Sequence, residues 1–147
     1  MQLQLNQYFI RNFHFEQITL PEEMDTNNFT FNFNASFYSQ RLTEFFIEFY
    51  VDIKNPKEFN CNFLYVFLFS TTEPIDLVFI KSHFPIINAP AIAFPYVRSF
   101  VSNFTLNAGF LPAILPTINF TSVSNEFRKV FLDGNLIQEQ NVLPLTQ

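Results

Sequence analysis

The stretch Phe29-Thr30-Phe31-Asn32-Phe33-Asn34-Ala35-Ser36-Phe37 alternates apolar and polar residues without a break. Successive side chains of a strand point to opposite faces, so this period of two predicts a half-buried strand with its phenylalanines on the core side. Working outward, residues 43–53 repeat the pattern. Phe45, Ile47, Phe49, Val51 and Ile53 point inward, while Glu44, Phe46, Glu48, Tyr50 and Asp52 fall on a face expected to be solvated. Asn55-Pro56-Lys57 supplies a turn into a strand over 59–70. That strand sets Phe63, Tyr65, Phe67 and Phe69 against Leu64, Val66 and Leu68, so it requires cover on both faces. Upstream, Leu3, Leu5, Phe9, Phe13 and Phe15 fall on one side of a looser strand over 2–16. Gln4, Asn6, Tyr8, Asn12, His14 and Glu16 fall on the other, and Arg11 interrupts the apolar side, predicting a bend or an edge. Residues 20–28 read as a polar loop. Four such strands with short connections predict an antiparallel meander.

The second half changes character. Residues 71–89 form a long connection with Pro74 and Pro85 around the apolar run Leu77, Val78, Phe79 and Ile80, and connections of that length usually have a task. Helical spacing starts near Phe94-Pro95, where proline suits a first turn, and recurs at Val97, Val101, Phe104 and Ala108. Gly109 falls where a helix stop is expected. Two prolines in FLPAILPTINF, residues 110–120, exclude one regular helix there. Thr121 or Ser122 would cap a short second helix to about Leu132, ending at Asp133-Gly134. The predicted fold is α+β: a four-stranded antiparallel meander, a long crossover and two helices in one domain over residues 1–135. Residues 136–147 read as a flexible tail.

Composition narrows function. The 147 residues are 48% hydrophobic and 14% charged, against a usual charged share of about 25%, and 23 are phenylalanine. So many rings predict apolar surface covered by another subunit or used for binding. A net charge of −5 without a basic run disfavours nucleic acid. No signal peptide and no membrane span is read in the chain. Cys61 has no partner for an internal disulfide. His14 and His83 lack ligand spacing, so neither metal nor cofactor is expected. Glu44, Glu48 and Asp52 read as a solvated face rather than a catalytic pair. With no convergent acid, base and nucleophile, the chain does not read as an enzyme.

Residues 88–120 carry the most specific signal: Phe94-Pro95-Tyr96-Val97-Arg98, then Gly109-Phe110-Leu111-Pro112, then Leu115-Pro116-Thr117-Ile118-Asn119-Phe120. Following four strands and a crossover, these motifs resemble SecB, the bacterial protein-export chaperone family. Its signature there is Phe-Pro-Tyr/Phe-x-Arg, Gly-x-x-Pro and Leu-x-Pro-x-Asn-Phe. A weaker match covers residues 3–16 and ends in Phe15-Glu16.

The resemblance implies a cytoplasmic, ATP-independent holdase that assembles as a dimer or homotetramer and keeps unfolded or preprotein clients competent for translocation. The candidate client groove is Phe79, Ile80, Phe84 and Ile86 on the crossover with Phe110, Leu111 and Phe120 around the proline-rich loop. Each of these could equally be an ordinary core or oligomer contact. Arg98, Ser99 and Ser102 are candidates for the oligomer interface, though Arg98 could also be solvated. The SecA motor would meet an acidic sheet face, on which Glu16 is kept while Asn12 and the apolar run from Leu64 to Phe67 depart from the family pattern. Related SecB-like chaperones guard an antitoxin, so a chaperone dedicated to one partner is a second reading. A carrier of a small apolar ligand is a third.

Overall fold

The computed structural model describes residues 1–18, 28–55 and 58–133, with side chains to residue 126. The predicted loop over 20–28, save Asn28, the centre of the turn at Asn55-Pro56-Lys57 and the tail over 136–147 lie outside the described residues. Four strands, β1 (Leu3–Gln17), β2 (Asn28–Phe37), β3 (Glu44–Asn55) and β4 (Phe59–Thr71), form one antiparallel sheet. They are followed by α1 (Leu77–Ile80), a π-helical turn (Phe84–Asn88), α2 (Ala89–Asn107) and α3 (Phe120–Asp133). Among the described residues no helix is long and apolar enough to cross a membrane.

The strand order is β1-β4-β3-β2, so β2, β3 and β4 make a meander while β1 joins at β4. This satisfies β4, which carries apolar residues on both faces and therefore belongs inside the sheet. Gln17 pairs with Phe59 and Asn28 with Lys54, so both ends of the β1–β2 connection lie at one end of the sheet. Three strand spacings, about 14 Å, separate them, well within reach of ten residues.

β1 departs from simple alternation. Its register slips between Leu5 and Gln7 and again between Arg11 and His14, and Asn12 takes a positive φ of 52°. Each slip inverts which parity faces the core. Leu3 and Leu5, then Tyr8 and Ile10, then Phe13 and Phe15 face the helices. Phe9 therefore sits on the opposite side from the one its neighbours' spacing predicts, and Arg11 lies with its guanidinium 5.1 Å from the Phe9 ring centroid.

The helix side of β2, β3 and β4 holds a core of phenylalanines. Phe49 lies at its middle, its ring 5.8 Å from Phe33, 5.9 Å from Phe67, 5.7 Å from Phe94 and 6.3 Å from Phe120. α2 covers this layer with Ala93, Phe94, Val97 and Val101, all buried. The helix begins earlier than Phe94. Pro90 occupies the first turn, and Pro95 lies inside, where it removes the bond to the Ala91 carbonyl. Ala91 is exposed, so water can replace that bond. Asn119, rather than Thr121 or Ser122, caps α3: its side-chain oxygen accepts from the Thr121 N–H at 3.1 Å.

The outer sheet face is not uniformly solvated. Phe46, Leu64 and Val66 are buried there with Tyr38, and Phe9 and Leu68 pack against them. Glu48 sits among them at 3% exposure, and the Tyr50 hydroxyl donates to its carboxylate over a long 3.5 Å. Burial pushes the Glu48 carboxyl up, against the opposing pull of Arg11 and of Tyr50.

Two outcomes follow. Phe49→Ala is expected to cost about 3–5 kcal/mol in urea unfolding, because a ring packed among Phe31, Phe33, Phe67, Phe94 and Phe120 leaves a cavity the sheet cannot close. The folded-state Glu48 carboxyl keeps its proton to a higher pH than the unfolded one, so ionisation destabilises the native state and falling pH relieves it. Glu48→Gln is expected to exceed the parent in stability at about pH 7, with the difference narrowing as pH falls through the folded-state value. Urea midpoints across a pH series check this, and a parent matching the variant throughout contradicts it.

Candidate functional site

The crossover is built by local hydrogen bonds. The Asp76 carboxylate accepts from the Phe79 N–H at 2.8 Å and caps α1. The Ser82 hydroxyl donates to the Phe79 carbonyl at 2.6 Å and accepts from the Phe84 N–H at 3.2 Å, which turns the chain into the π-helical segment. Phe79 is buried, edge-on to Phe45 at 5.4 Å, and Phe84 stacks on it at 5.6 Å. Pro85 and Ile86 point into the core. Phe84 and Ile87 are left at the surface, where with Ser82, His83, Asn88 and Thr121 they line an open, largely apolar cleft of about 520 Å³. On α1, Val78 is 77% exposed and Leu77 lies beside it, also exposed.

The proline-rich loop is pinned to α2. Gly109 takes φ +93°, which other residues rarely adopt, and lets the Phe110 N–H reach back to the Thr105 carbonyl at 3.0 Å. The Ala113 N–H donates to the Thr105 hydroxyl at 2.8 Å, and Arg98 Nε donates to the Leu115 carbonyl at 3.1 Å. Phe110 packs on Phe59 at 5.0 Å, and Ala113 and Leu115 are buried. Leu111 and Ile114 face solvent, 83% and 73% exposed.

Of the seven groove candidates, Phe79, Ile86 and Phe120 are core residues of this chain. Each occupies the inward side of the turn that carries it, so it supports the surface without forming it. Ile80, Phe84 and Phe110 are half-buried and Leu111 is exposed. Hydrophobicity alone could not separate these. The alternation that could have found Leu77, Val78, Ile87 and Ile114 depends on turns whose hydrogen bonds carry no pattern in the residue types.

Arg98 is half-buried and engaged within its own chain through Leu115. Ser99 is exposed, its hydroxyl accepting from Asn103 Nδ2 at 3.3 Å, and Ser102 is half-buried. Ser99 also borders a second cleft of about 440 Å³ with Tyr8, Tyr65 and Tyr96. Glu16 is exposed on β1, its carboxylate 3.8 Å from His14 Nε2. Of the apolar run Leu64 to Phe67, Leu64 and Val66 lie on the outer face, while Tyr65 and Phe67 face the helices. Cys61 is buried on the helix side of β4, its thiol pushed up to about 11 by burial and by Asp52, so it stays protonated.

A family model described as preprotein translocase subunit SecB matches residues 1–129. An uncharacterized protein of Methanocaldococcus jannaschii is 40% identical over 67 residues, 46% of this chain and 41% of that protein, so the match spans less than half of that relative's length. Among solved structures, a SecB-like chaperone of Mycobacterium tuberculosis in complex with a ChAD peptide from the HigA1 antitoxin is similar in fold. It has a TM-score of 0.61 and 13% identity, over 79% of this chain and 89% of that one. With the family match running from the first strand into the last helix, the chain belongs to the SecB family.

Proposed function

We propose that the protein is an ATP-independent holdase that shelters unfolded or preprotein clients on the apolar surface of its crossover and proline-rich loop and keeps them competent for export. The observation that carries this reading is the set of apolar side chains that intrachain packing leaves uncovered: Val78, Leu111 and Ile114 on two pinned turns, with Phe84 and Ile87 walling the cleft. Ile80 and Phe110 flank them, and Phe79, Ile86 and Phe120 back them from the core. No catalytic group is needed, because the work is removal of client hydrocarbon from water, worth about 25 cal/mol per Å².

Magnitudes favour several weak sites over one strong one. A buried leucine-sized side chain contributes roughly 2 kcal/mol, and a micromolar complex needs about 8 kcal/mol beyond the cost of ordering the client. Four or more anchors, or repeated grooves on a homo-oligomer, reach that range. We place the subunit contact on α2 around Ser99 and Ser102, in a cytoplasmic dimer or tetramer. Glu16 is the acidic point on β1 at which SecA would be met. In a pull-down with SecA, capture by the parent and its loss in Glu16→Lys are expected.

A second reading is a chaperone dedicated to one partner, such as an antitoxin. The support for it is the structural neighbour of similar fold, solved with an antitoxin peptide.

Light scattering of an aggregating, refolding client tests the first reading. The full chain is expected to suppress aggregation near stoichiometric amounts, and Phe84→Ser with Leu111→Ser to weaken client affinity about tenfold at unchanged fold. A well-folded parent that neither suppresses aggregation nor binds an unfolded polypeptide overturns it. Preference of about a hundredfold for one peptide over unrelated unfolded clients decides for the dedicated chaperone.

A further inference from the structure

Two α2 side chains, Thr105 and Arg98, hydrogen-bond to the backbone of the loop over 110–116. Thr105 is 1% exposed. Its hydroxyl donates back to the Val101 carbonyl at 2.8 Å, with Ser102 O at 3.2 Å, and accepts from the Ala113 N–H at 2.8 Å. A hydroxyl has one proton and two lone pairs, so the geometry uses the proton within the helix and a lone pair for the loop. Arg98, nearly two turns earlier, donates Nε to the Leu115 carbonyl at 3.1 Å. The bonds fall on Ala113 and Leu115, the two buried residues of this loop, and the residues between and before them, Ile114 and Leu111, point out. Pro112 and Pro116 contribute no N–H and fix φ, so the loop has few other means of holding its shape.

We infer that Thr105 and Arg98 are positioning residues for client binding: they hold residues 110–116 as a strap whose outward side chains, Leu111 and Ile114, are presented already ordered. The inference rests on the holdase reading. A strap fixed before the client arrives avoids the ordering cost that a floppy loop would charge against each contact. Thr105→Val keeps shape and removes the bond to Ala113, while Thr105→Ser keeps the hydroxyl.

The full chain is used throughout, with a permanently unfolded, fluorescently labelled polypeptide as the probe. For Thr105→Val, amide exchange at Ala113 is expected to rise about tenfold and probe affinity to fall roughly fivefold, with melting of the sheet core little changed. Thr105→Ser is expected to restore both. Arg98→Ala is expected to act in the same direction through Leu115. If Thr105→Val fails to fold, Arg98→Ala decides, since it removes the bond to the Leu115 carbonyl and leaves Leu111 and Ile114 in place: faster exchange in the loop with loss of affinity supports the strap, and unchanged affinity overturns it. Faster Ala113 exchange with unchanged probe affinity overturns the positioning role and leaves the holdase reading standing. A parent that binds no probe overturns both.

Discussion

Strand β4 carries apolar side chains on both faces, and both have to leave water. On one face α2 and the phenylalanine layer cover Phe63, Tyr65, Phe67 and Phe69; on the other, Tyr38, Phe9 and Phe46 close over Leu64 and Val66. This double demand explains why β4 takes a central place, why β1 crosses to its far edge, and why the register of β1 slips twice. A β1 of constant parity could not deliver Leu3 and Leu5, then Tyr8 and Ile10, then Phe13 and Phe15 all to the helix side. The helices then have one side of the sheet to occupy, and the turns linking them carry the exposed side chains of Val78, Leu111 and Ile114.

Much of this was legible in the residues. The alternation in Phe29–Phe37 and in Phe45–Ile53 stands in the structure with the inward sets as read, because both strands pair without irregularity along their length. Gly109 marked the helix stop because only its positive φ lets Phe110 turn back on Thr105. Other features were hidden for physical reasons. The slips in β1 depend on tertiary pairing with β4. The early start of α2 was masked by Pro95, a strong boundary signal that an exposed Ala91 carbonyl makes tolerable. Glu48 read as solvated because charge usually is, yet it is buried beside the outer-face cluster of Phe46, Leu64 and Val66.

The abundance of phenylalanine invites the idea that rings form the sticky exterior. Among the described side chains the opposite holds: Phe13 is the only phenylalanine among the exposed large apolar residues, and the rest are aliphatic, methionine or tyrosine. Phenyl groups fill the layer between sheet and helix, where edge-to-face pairs such as Phe33 with Phe120 and Phe94 with Phe120 add geometric preference to burial. That packed interior lies behind turns on which Val78, Leu111 and Ile114 stand exposed. The division of labour between aromatic support and aliphatic surface comes from the turns, and it is why Phe120 and Leu111, nine residues apart, have opposite fates.

The broken register of β1 also bears on how the molecule survives the company it keeps. On the holdase reading proposed above, the chain is surrounded by segments seeking a straight edge on which to stack into fibres. Such growth asks for six or seven consecutive residues in step. β1 offers three, then five, then four between its slips, with a left-handed asparagine at the second break. On that margin of the sheet, the interruptions that fit β1 to its neighbour also deny a template to amyloid.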